Sequence, residues 1–162
     1  MDAVNDEMFQ TEVKQVEKLL FRVAWSYLSN MQDVEDAVQE ALFKAWEKRA
    51  TLRSEERFKA WLARIVVNQC KNILRRRKKG SFYPLEGNEL MACSPEEAPV
   101  LEAMNKLKPE QRAAVTLYYL DGYTLPEIAL LLGCPVGTVK TRLHAARKRL
   151  RTILLVEWEE KL

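Results

Sequence analysis

The chain has 162 residues, of which 48% are hydrophobic and 30% are charged, and its formal net charge is +3 at pH 7. Such a hydrophobic content can bury a core, so disorder of the whole chain is excluded, and the length suits one ordinary domain or two small ones. The three cysteines are far apart and include no Cys-x-x-Cys pair, which argues against a disulfide framework or a zinc site and fits a reducing cytoplasm.

Three helices are predicted for the first half of the chain. The first carries apolar residues at the three- and four-residue spacing of a helix, namely Val13, Val16, Leu19, Leu20, Val23, Ala24, Tyr27 and Leu28. The second begins near Asp33, whose carboxylate suits a helix N-terminus, and has one apolar and one acidic face. The third runs from Phe58 to Leu74, continues into the basic residues 75–79 and is stopped by Gly80.

The helical pattern is lost between residues 80 and 99. Glycine and proline interrupt this stretch at Gly80, Pro84, Gly87, Pro95 and Pro99, and four glutamates leave it acidic. We interpret residues 81–99 as a flexible linker that joins two small helical domains, residues 8–80 and 100–155. The predicted fold class is therefore all-α.

A helix-turn-helix is predicted in the second half. Helical pattern resumes at residues 100–107, and Pro109 sits near the first turn of the next helix, which extends to Leu120. Thr124 and Glu127 have the spacing of a capping box at the start of a short helix. Gly133 can supply the left-handed turn that follows, and the last helix is predicted from about residue 136 to 155.

The last helix has the composition of a DNA-reading helix. Its exposed side chains can reach base edges and phosphates in a major groove: Val136, Thr138, Lys140, Thr141, Arg142, His144, Arg147 and Lys148. An ordinary three-helix bundle with a basic last helix is the alternative interpretation. His144 has no second histidine and no Cys or carboxylate at ligand spacing, so we favour a DNA-facing or exposed imidazole over a metal ligand.

Two further surfaces carry patterned charge. No acidic residue occurs from 57 to 85, and this basic stretch, with the basic block of the last helix, favours two contacts with a polyanion over two solvated faces. On the third helix, Asn68, Asn72 and Arg75 are candidates for contact with single-stranded DNA. The acidic face of the second helix lacks the partners of a catalytic carboxylate pair, and we interpret it as a solvated face or as a docking face for a basic partner.

Three motifs, in order, resemble a known family. The segments are Asp33-Val-Glu-Asp-Ala-Val-Gln-Glu-Ala-Leu-Phe-Lys-Ala-Trp46; Phe58-Lys-Ala-Trp-Leu-Ala-Arg-Ile-Val-Val-Asn68 with Arg75-Arg-Arg-Lys-Lys79; and Leu107-Lys-Pro-Glu-Gln-Arg112, Tyr123-Thr-Leu-Pro-Glu-Ile-Ala129 and Gly137-Thr-Val-Lys-Thr-Arg-Leu143. They resemble region 2.2, regions 2.3 and 2.4, and region 4 of bacterial sigma-70 factors. The short linker without a third domain is similar to the extracytoplasmic-function group.

The resemblance implies a sigma factor, a subunit without enzymatic activity or cofactor that binds core RNA polymerase (beta-prime and beta subunits) and directs it to promoter DNA. It assigns polymerase docking to Asp36, Gln39 and Glu40. It assigns recognition and melting of the −10 element to Arg49, Phe58, Asn68, Asn72, Arg75 and Arg76, and recognition of the −35 duplex to the last helix. It also implies an anti-sigma factor, often membrane-bound. Asn72 departs from the family, since many relatives have Asp there, which bears on the −10 preference.

Two other functions are alternatives to a sigma factor. An autonomous helix-turn-helix regulator would bind specific duplex DNA without polymerase, usually at a symmetric site. A nucleic-acid enzyme is remote, because the sequence has no carboxylate or histidine cluster. The acidic N-terminus lacks the apolar segment of a signal peptide and no apolar run could cross a membrane, so we expect a cytoplasmic protein without membrane insertion.

Overall fold

The computed structural model describes residues 6–78, 96 and 98–160, and every regular element in these ranges is helical. The helices are α1 (Asp6–Leu28), α2 (Met31–Glu47), α3 (Phe58–Lys78), α4 (Ala98–Asn105), α5 (Pro109–Val115), α6 (Leu125–Leu132) and α7 (Val136–Glu160). Short 3-10 turns, Arg49–Thr51 and Glu55–Arg57, join α2 to α3, and a π-helical turn, Thr116–Leu120, extends α5. The all-α prediction is confirmed, while most of the predicted linker, residues 81–99, lies outside the described residues.

The turn between α1 and α2 follows from local backbone chemistry. Ser29 has a left-handed φ of 52°, and its N–H donates to the Trp25 carbonyl at 2.9 Å, which closes the end of α1. Asn30 caps α2, because its side-chain oxygen accepts from the Asp33 N–H at 3.1 Å. The helix therefore begins at Met31 rather than near Asp33, since Asn30 is the capping side chain and Asp33 lies inside the first turn.

The helix-turn-helix contains the capping box and the left-handed glycine turn that were predicted for it. The Thr124 hydroxyl accepts from the Glu127 N–H at 3.3 Å, and the Glu127 carboxylate accepts from the Thr124 N–H at 3.0 Å, which completes the capping box of α6. Gly133 has a φ of 68°, a conformation that a side chain would strain, and it turns the chain toward α7.

Two predicted helix limits were wrong. Pro99 does not interrupt the chain's helical structure but lies in the first turn of α4, where its missing N–H leaves no helical hydrogen bond unmade. The last helix continues past residue 155 to Glu160. Both errors arose at helix ends, where periodicity gives the weakest signal.

Within the described residues, helices α1 to α7 pack as two units that share one hydrophobic cluster. Helices α1, α2 and α3 contact one another around Leu20, Leu62 and Val66, all 0% exposed. Helices α4 to α7 form the second unit, in which α7 packs against α4, α5 and α6. The units meet where α5 lies on α1 and α6 lies on α3, and the buried cluster is continuous across that contact.

Candidate nucleic-acid interface

An open groove of about 850 Å³ runs between the acidic face of α2 and the basic end of α3. Asp36 and Glu40 line one wall, and Asn72, Arg75 and Arg76 line the other. The groove therefore places side chains predicted for two different partners, a protein surface and DNA, on facing walls of one feature.

An ion pair that sequence reasoning missed joins the two walls. The Arg77 guanidinium contacts the Asp33 carboxylate, and the two side chains are only 20% and 19% exposed. Because the pair is partly shielded from water, it holds the end of α3 against the start of α2 more firmly than a surface pair would. Nothing in the spacing of these residues indicates the contact, since they lie on different helices.

Candidate −10 residues follow one another along α3. Asn68 is exposed one turn before Asn72, whose side-chain oxygen accepts from the Arg75 guanidinium at 2.9 Å. This bond turns the Asn72 oxygen toward Arg75 and leaves the amide NH₂ group of Asn72 available for another acceptor. Arg75 and Arg76 are both exposed beside the groove.

The other two candidate −10 residues lie elsewhere. Phe58 is 2% exposed, and its ring packs edge-on against Phe9 with centroids 5.7 Å apart, so in this conformation it is a core residue. Arg49 lies over the Trp46 ring, with its guanidinium carbon 3.8 Å from the centroid, and donates to the Trp46 carbonyl at 2.7 Å. The structure thus groups the α3 candidates and separates Phe58 and Arg49 from them.

The acidic face of α2 carries an exposed aromatic residue that the sequence analysis did not select. Asp36, Gln39, Glu40 and Phe43 are spaced by three, one and three residues, which places them on one side of the helix. Phe43 is 59% exposed, whereas Ala41 and Ala45 on the opposite side are buried. The helical spacing of Phe43 from Gln39 and Glu40 was the signal that could have placed it on this stripe.

Helix α7 has a buried and an exposed side, as predicted for a reading helix. Val139, Leu143 and Ala146 are at most 2% exposed and form the side that α7 buries. The opposite side exposes Lys140, Thr141, His144, Arg147 and Lys148, while Val136, Thr138 and Arg142 are half-buried. The Thr141 hydroxyl donates to the Gly137 carbonyl at 3.0 Å, so it is turned back onto its own helix.

Two arginines of α7 are already engaged within the protein. Arg142 lies 3.6 Å from the Glu110 carboxylate and 3.6 Å from the Cys134 sulfur, and its side chain is 17% exposed. Arg147 donates to the Tyr119 hydroxyl at 2.5 Å and lies beside the Tyr118 ring. Sequence reasoning missed Tyr119, which is 54% exposed on the π-helical turn, an irregularity that is common at functional sites.

Within the described ranges, no group of three or more His, Cys, Asp or Glu side chains could hold a metal ion. A search of the same part of the chain finds no helix long and apolar enough to cross a membrane.

Comparisons with known proteins match both halves of the chain. The family model "Sigma-70 region 2" matches residues 13–80, and the model "Sigma-70, region 4" matches residues 97–150. The ECF RNA polymerase sigma factor SigM of Mycobacterium tuberculosis is 35% identical over 92% of this chain and 76% of its own length. SigW of Bacillus subtilis, also an ECF RNA polymerase sigma factor, is 32% identical over 82% of this chain and 81% of its own length.

Solved structures agree with these matches. The sigma factor RpoE of Bartonella quintana, in complex with the anti-sigma factor NepR, has a TM-score of 0.71 at 30% identity, covering 91% of this chain and 97% of that one. CnrH in complex with the cytosolic domain of CnrY has a TM-score of 0.70 at 28% identity, covering 94% and 90%. The chain therefore belongs to the extracytoplasmic-function sigma factors of the sigma-70 family, the subunits that direct RNA polymerase to promoters for the initiation of transcription.

Proposed function

We propose that this sigma factor divides its work among three surfaces: the acidic stripe of α2 for core polymerase, the groove side of α3 for the −10 element, and the exposed side of α7 for the −35 element. The observation that carries the proposal is the groove between α2 and α3, whose walls have opposite charge. In domain terms, residues 8–80 hold the first two surfaces and residues 100–155 hold the third.

The α2 stripe has the chemistry of a protein-docking face. Asp36 and Glu40 supply negative charge for a basic partner, Gln39 can donate and accept hydrogen bonds, and Phe43 supplies apolar area. Charge of this kind steers the encounter, whereas an aromatic side chain buried on binding contributes most of the affinity. We assign this stripe to the polymerase beta-prime subunit.

The α3 wall has the chemistry of a surface for unpaired DNA. Asn68 and Asn72 can hydrogen-bond base edges, and Arg75 and Arg76 can contact phosphates or stack on bases. Phe58 and Arg49 could join this surface only after they leave their contacts with Phe9 and Trp46.

The exposed side of α7 has the chemistry of a major-groove surface. Lys140, Thr141 and His144 lie near its N-terminal half, which enters the groove in helix-turn-helix proteins. Arg147 and Lys148 lie further along and suit contacts to the DNA backbone. Arg142 reaches DNA only after it releases Glu110 and Cys134.

The proposed function also indicates where the protein acts and what inhibits it. A subunit that works with polymerase on promoter DNA acts in the bacterial cytoplasm, and we place this chain there as a DNA-binding factor without catalytic activity of its own. RpoE of Bartonella quintana was solved with an anti-sigma factor. We propose that this chain is also bound and inhibited by an anti-sigma factor, and that this anti-sigma factor is membrane-bound.

A gel-shift experiment with three samples tests the function: the protein, bacterial core polymerase, and both together, on a promoter fragment selected by the reconstituted holoenzyme from genomic DNA. We expect a specific shift only with both, because holding two weak DNA-binding surfaces on one polymerase raises their effective concentration and fixes their spacing. Tight, specific binding by the protein alone would instead establish the autonomous regulator.

Two variants separate the surfaces in the same assay. Lys140→Ala should weaken holoenzyme binding roughly tenfold on promoters that need the −35 element and leave binding to core polymerase intact. Glu40→Lys should weaken binding to core polymerase whichever promoter is used. Lys18→Ala, an exposed lysine on α1, is the control, and an equal loss in all three variants would contradict the assignment.

A further inference from the structure

One carboxylate of α2 is placed differently from the others. Asp33, in the first turn of the helix, is half-buried and lines the groove between α2 and α3. The other acidic residues of α2 are exposed: Glu35, Asp36, Glu40 and Glu47. The Asp33 N–H donates to the capping side chain of Asn30, which fixes the backbone that carries this carboxylate. Asp33 is therefore turned toward α3 rather than toward a partner in solution.

One cation at the end of α3 is placed to match it. The helix ends with four basic residues, Arg75, Arg76, Arg77 and Lys78, and Arg77 is the half-buried member of this group. Successive residues of a helix point about 100° apart, so four consecutive cations cannot all face one DNA strand. Arg77 contacts the Asp33 carboxylate, while Arg75 and Arg76 are exposed beside the groove.

The ion pair restrains the last turn of α3, where a helix is held least by its own hydrogen bonds. The last four carbonyl groups of a helix have no partner within it, and helix ends fray. Arg77 ties this turn across the groove to α2, and Arg75 ties it back along α3 by donating to the Asn72 side chain at 2.9 Å. These two contacts together fix the turn that carries Arg75 and Arg76.

We propose that Asp33 and Arg77 are positioning residues for promoter opening, whose ion pair orients Arg75 and Arg76 toward the −10 strand without touching DNA. The proposal rests on the proposed function, which assigns the α3 wall to the −10 element. Cations held in place before the strand arrives lose less conformational entropy on binding than mobile ones. The pair should therefore affect the step in which the strand enters the groove, and neither polymerase docking nor binding to the −35 duplex.

A direct contact of Arg77 with DNA would have the opposite consequence. In that case Asp33 would compete with a phosphate for the Arg77 guanidinium, so removal of the carboxylate would speed up opening. If the pair positions the turn, removal of the carboxylate releases the turn and slows opening. Asp33→Asn separates these two cases, because it keeps the size of the side chain and removes its charge.

The test uses holoenzyme reconstituted from the full-length chain and bacterial core polymerase, on a promoter with 2-aminopurine in its −10 element. At saturating holoenzyme the rise in fluorescence measures the rate of opening, and titrations measure the affinities for the closed promoter and for core polymerase. We expect Asp33→Asn to open the promoter roughly threefold to tenfold more slowly, with both affinities unchanged. Asp33→Glu, which keeps the charge, should retain most of the rate. Glu35→Gln, the control, removes an exposed carboxylate from the same end of α2 and should match wild type.

A second variant tests whether the two residues act through one contact. Arg77→Gln alone and Arg77→Gln combined with Asp33→Asn should slow opening equally, because either change already breaks the pair. Faster opening by Asp33→Asn would overturn the positioning role, and so would a double variant whose loss is the product of the single losses. An equal loss of core polymerase binding would show a merely structural pair and would overturn it as well.

Two further variants distinguish a failure of this proposal from a failure of the proposed function. Arg75→Ala and Arg76→Ala should each slow opening, because these side chains are assigned to the −10 strand. If neither does, the assignment of the α3 wall to the −10 element is refuted, and the positioning role with it. If both slow opening while Asp33→Asn does not, the assignment stands and the positioning role alone is refuted.

Discussion

Cys70 lies at the centre of the first unit, 0% exposed, and burial raises the pKa of its thiol from 9.0 to about 12. Burial has this effect because it disfavours the charged thiolate. Tyr27 is buried in the same unit, and desolvation raises the pKa of its hydroxyl as well. These two groups make the folded state sensitive to high pH, since unfolding releases each of them to ionise in water.

The sign of the effect at Cys70 follows from proton binding. Above pH 9.0 the unfolded chain loses the thiol proton while the folded chain keeps it, so stability falls as the pH rises. Compared with a Cys70→Ala variant, wild type should lose about 1 kcal/mol more between pH 9 and about pH 10, and the two should run parallel below pH 8. Urea unfolding at each pH measures the difference, and parallel curves across the whole range would contradict the assignment.

Single residues also show where sequence reasoning fails. An arginine is usually a surface residue, so Arg112 gave no sign that it is buried and donates from α5 to the Ser26 carbonyl on α1. The Asp33–Arg77 pair is hidden for a related reason: a contact between helices depends on their packing, which residue spacing along one helix does not reveal. The roles of three residues were predictable, namely Thr124, Glu127 and Gly133. Each role depends only on contacts with residues a few positions away along the chain.

At the scale of elements, apolar periodicity predicted the three helices of the first half and the helix-turn-helix of the second, because one face of each is buried. The same periodicity did not assign Phe43 to either face of α2. An apolar residue in a helix is ordinarily a core residue, yet α2 buries the side that carries Ala37, Ala41 and Ala45 and leaves Phe43 59% exposed. The acidic stripe was thus predicted, and the spacing of Phe43 from Gln39 and Glu40 was the signal that could have placed this aromatic residue on it.

Phe43 should contribute to polymerase affinity rather than to folding. Phe43→Ser removes a large exposed apolar side chain, so we expect roughly tenfold weaker binding to core polymerase and little change in the free energy of unfolding. Met31→Ser is the matched control, because Met31 is a 40% exposed apolar residue of the same helix that points away from the acidic stripe. Fluorescence titration measures the affinity, and equal losses in the two variants would show that Phe43 has no special place in the interface.

At the scale of the molecule, one hydrophobic core extends through both helical units. The sequence predicted two domains from the composition of residues 81–99, and it gave no reason to expect that α5 and α6 would pack on α1 and α3. Each unit is small, and small domains bury a lower fraction of their surface and are only marginally stable alone. The shared cluster therefore couples the stability of one unit to that of the other.

This coupling predicts how the protein melts. In a differential scanning calorimeter, wild type should unfold in one transition whose van't Hoff and calorimetric enthalpies agree, because neither unit can unfold without exposing the apolar surface that it shares with its neighbour. The variant Arg22→Glu, Arg64→Ala removes two contacts between the units, the ion pair of Arg22 with Asp121 and the hydrogen bond from Arg64 to the Leu130 carbonyl at 3.1 Å. It should unfold in two transitions, or in one whose van't Hoff enthalpy falls below the calorimetric value. Lys18→Glu, Lys14→Ala should keep the single transition. Two transitions in wild type would mean that the two units unfold independently and that the shared cluster does not couple them.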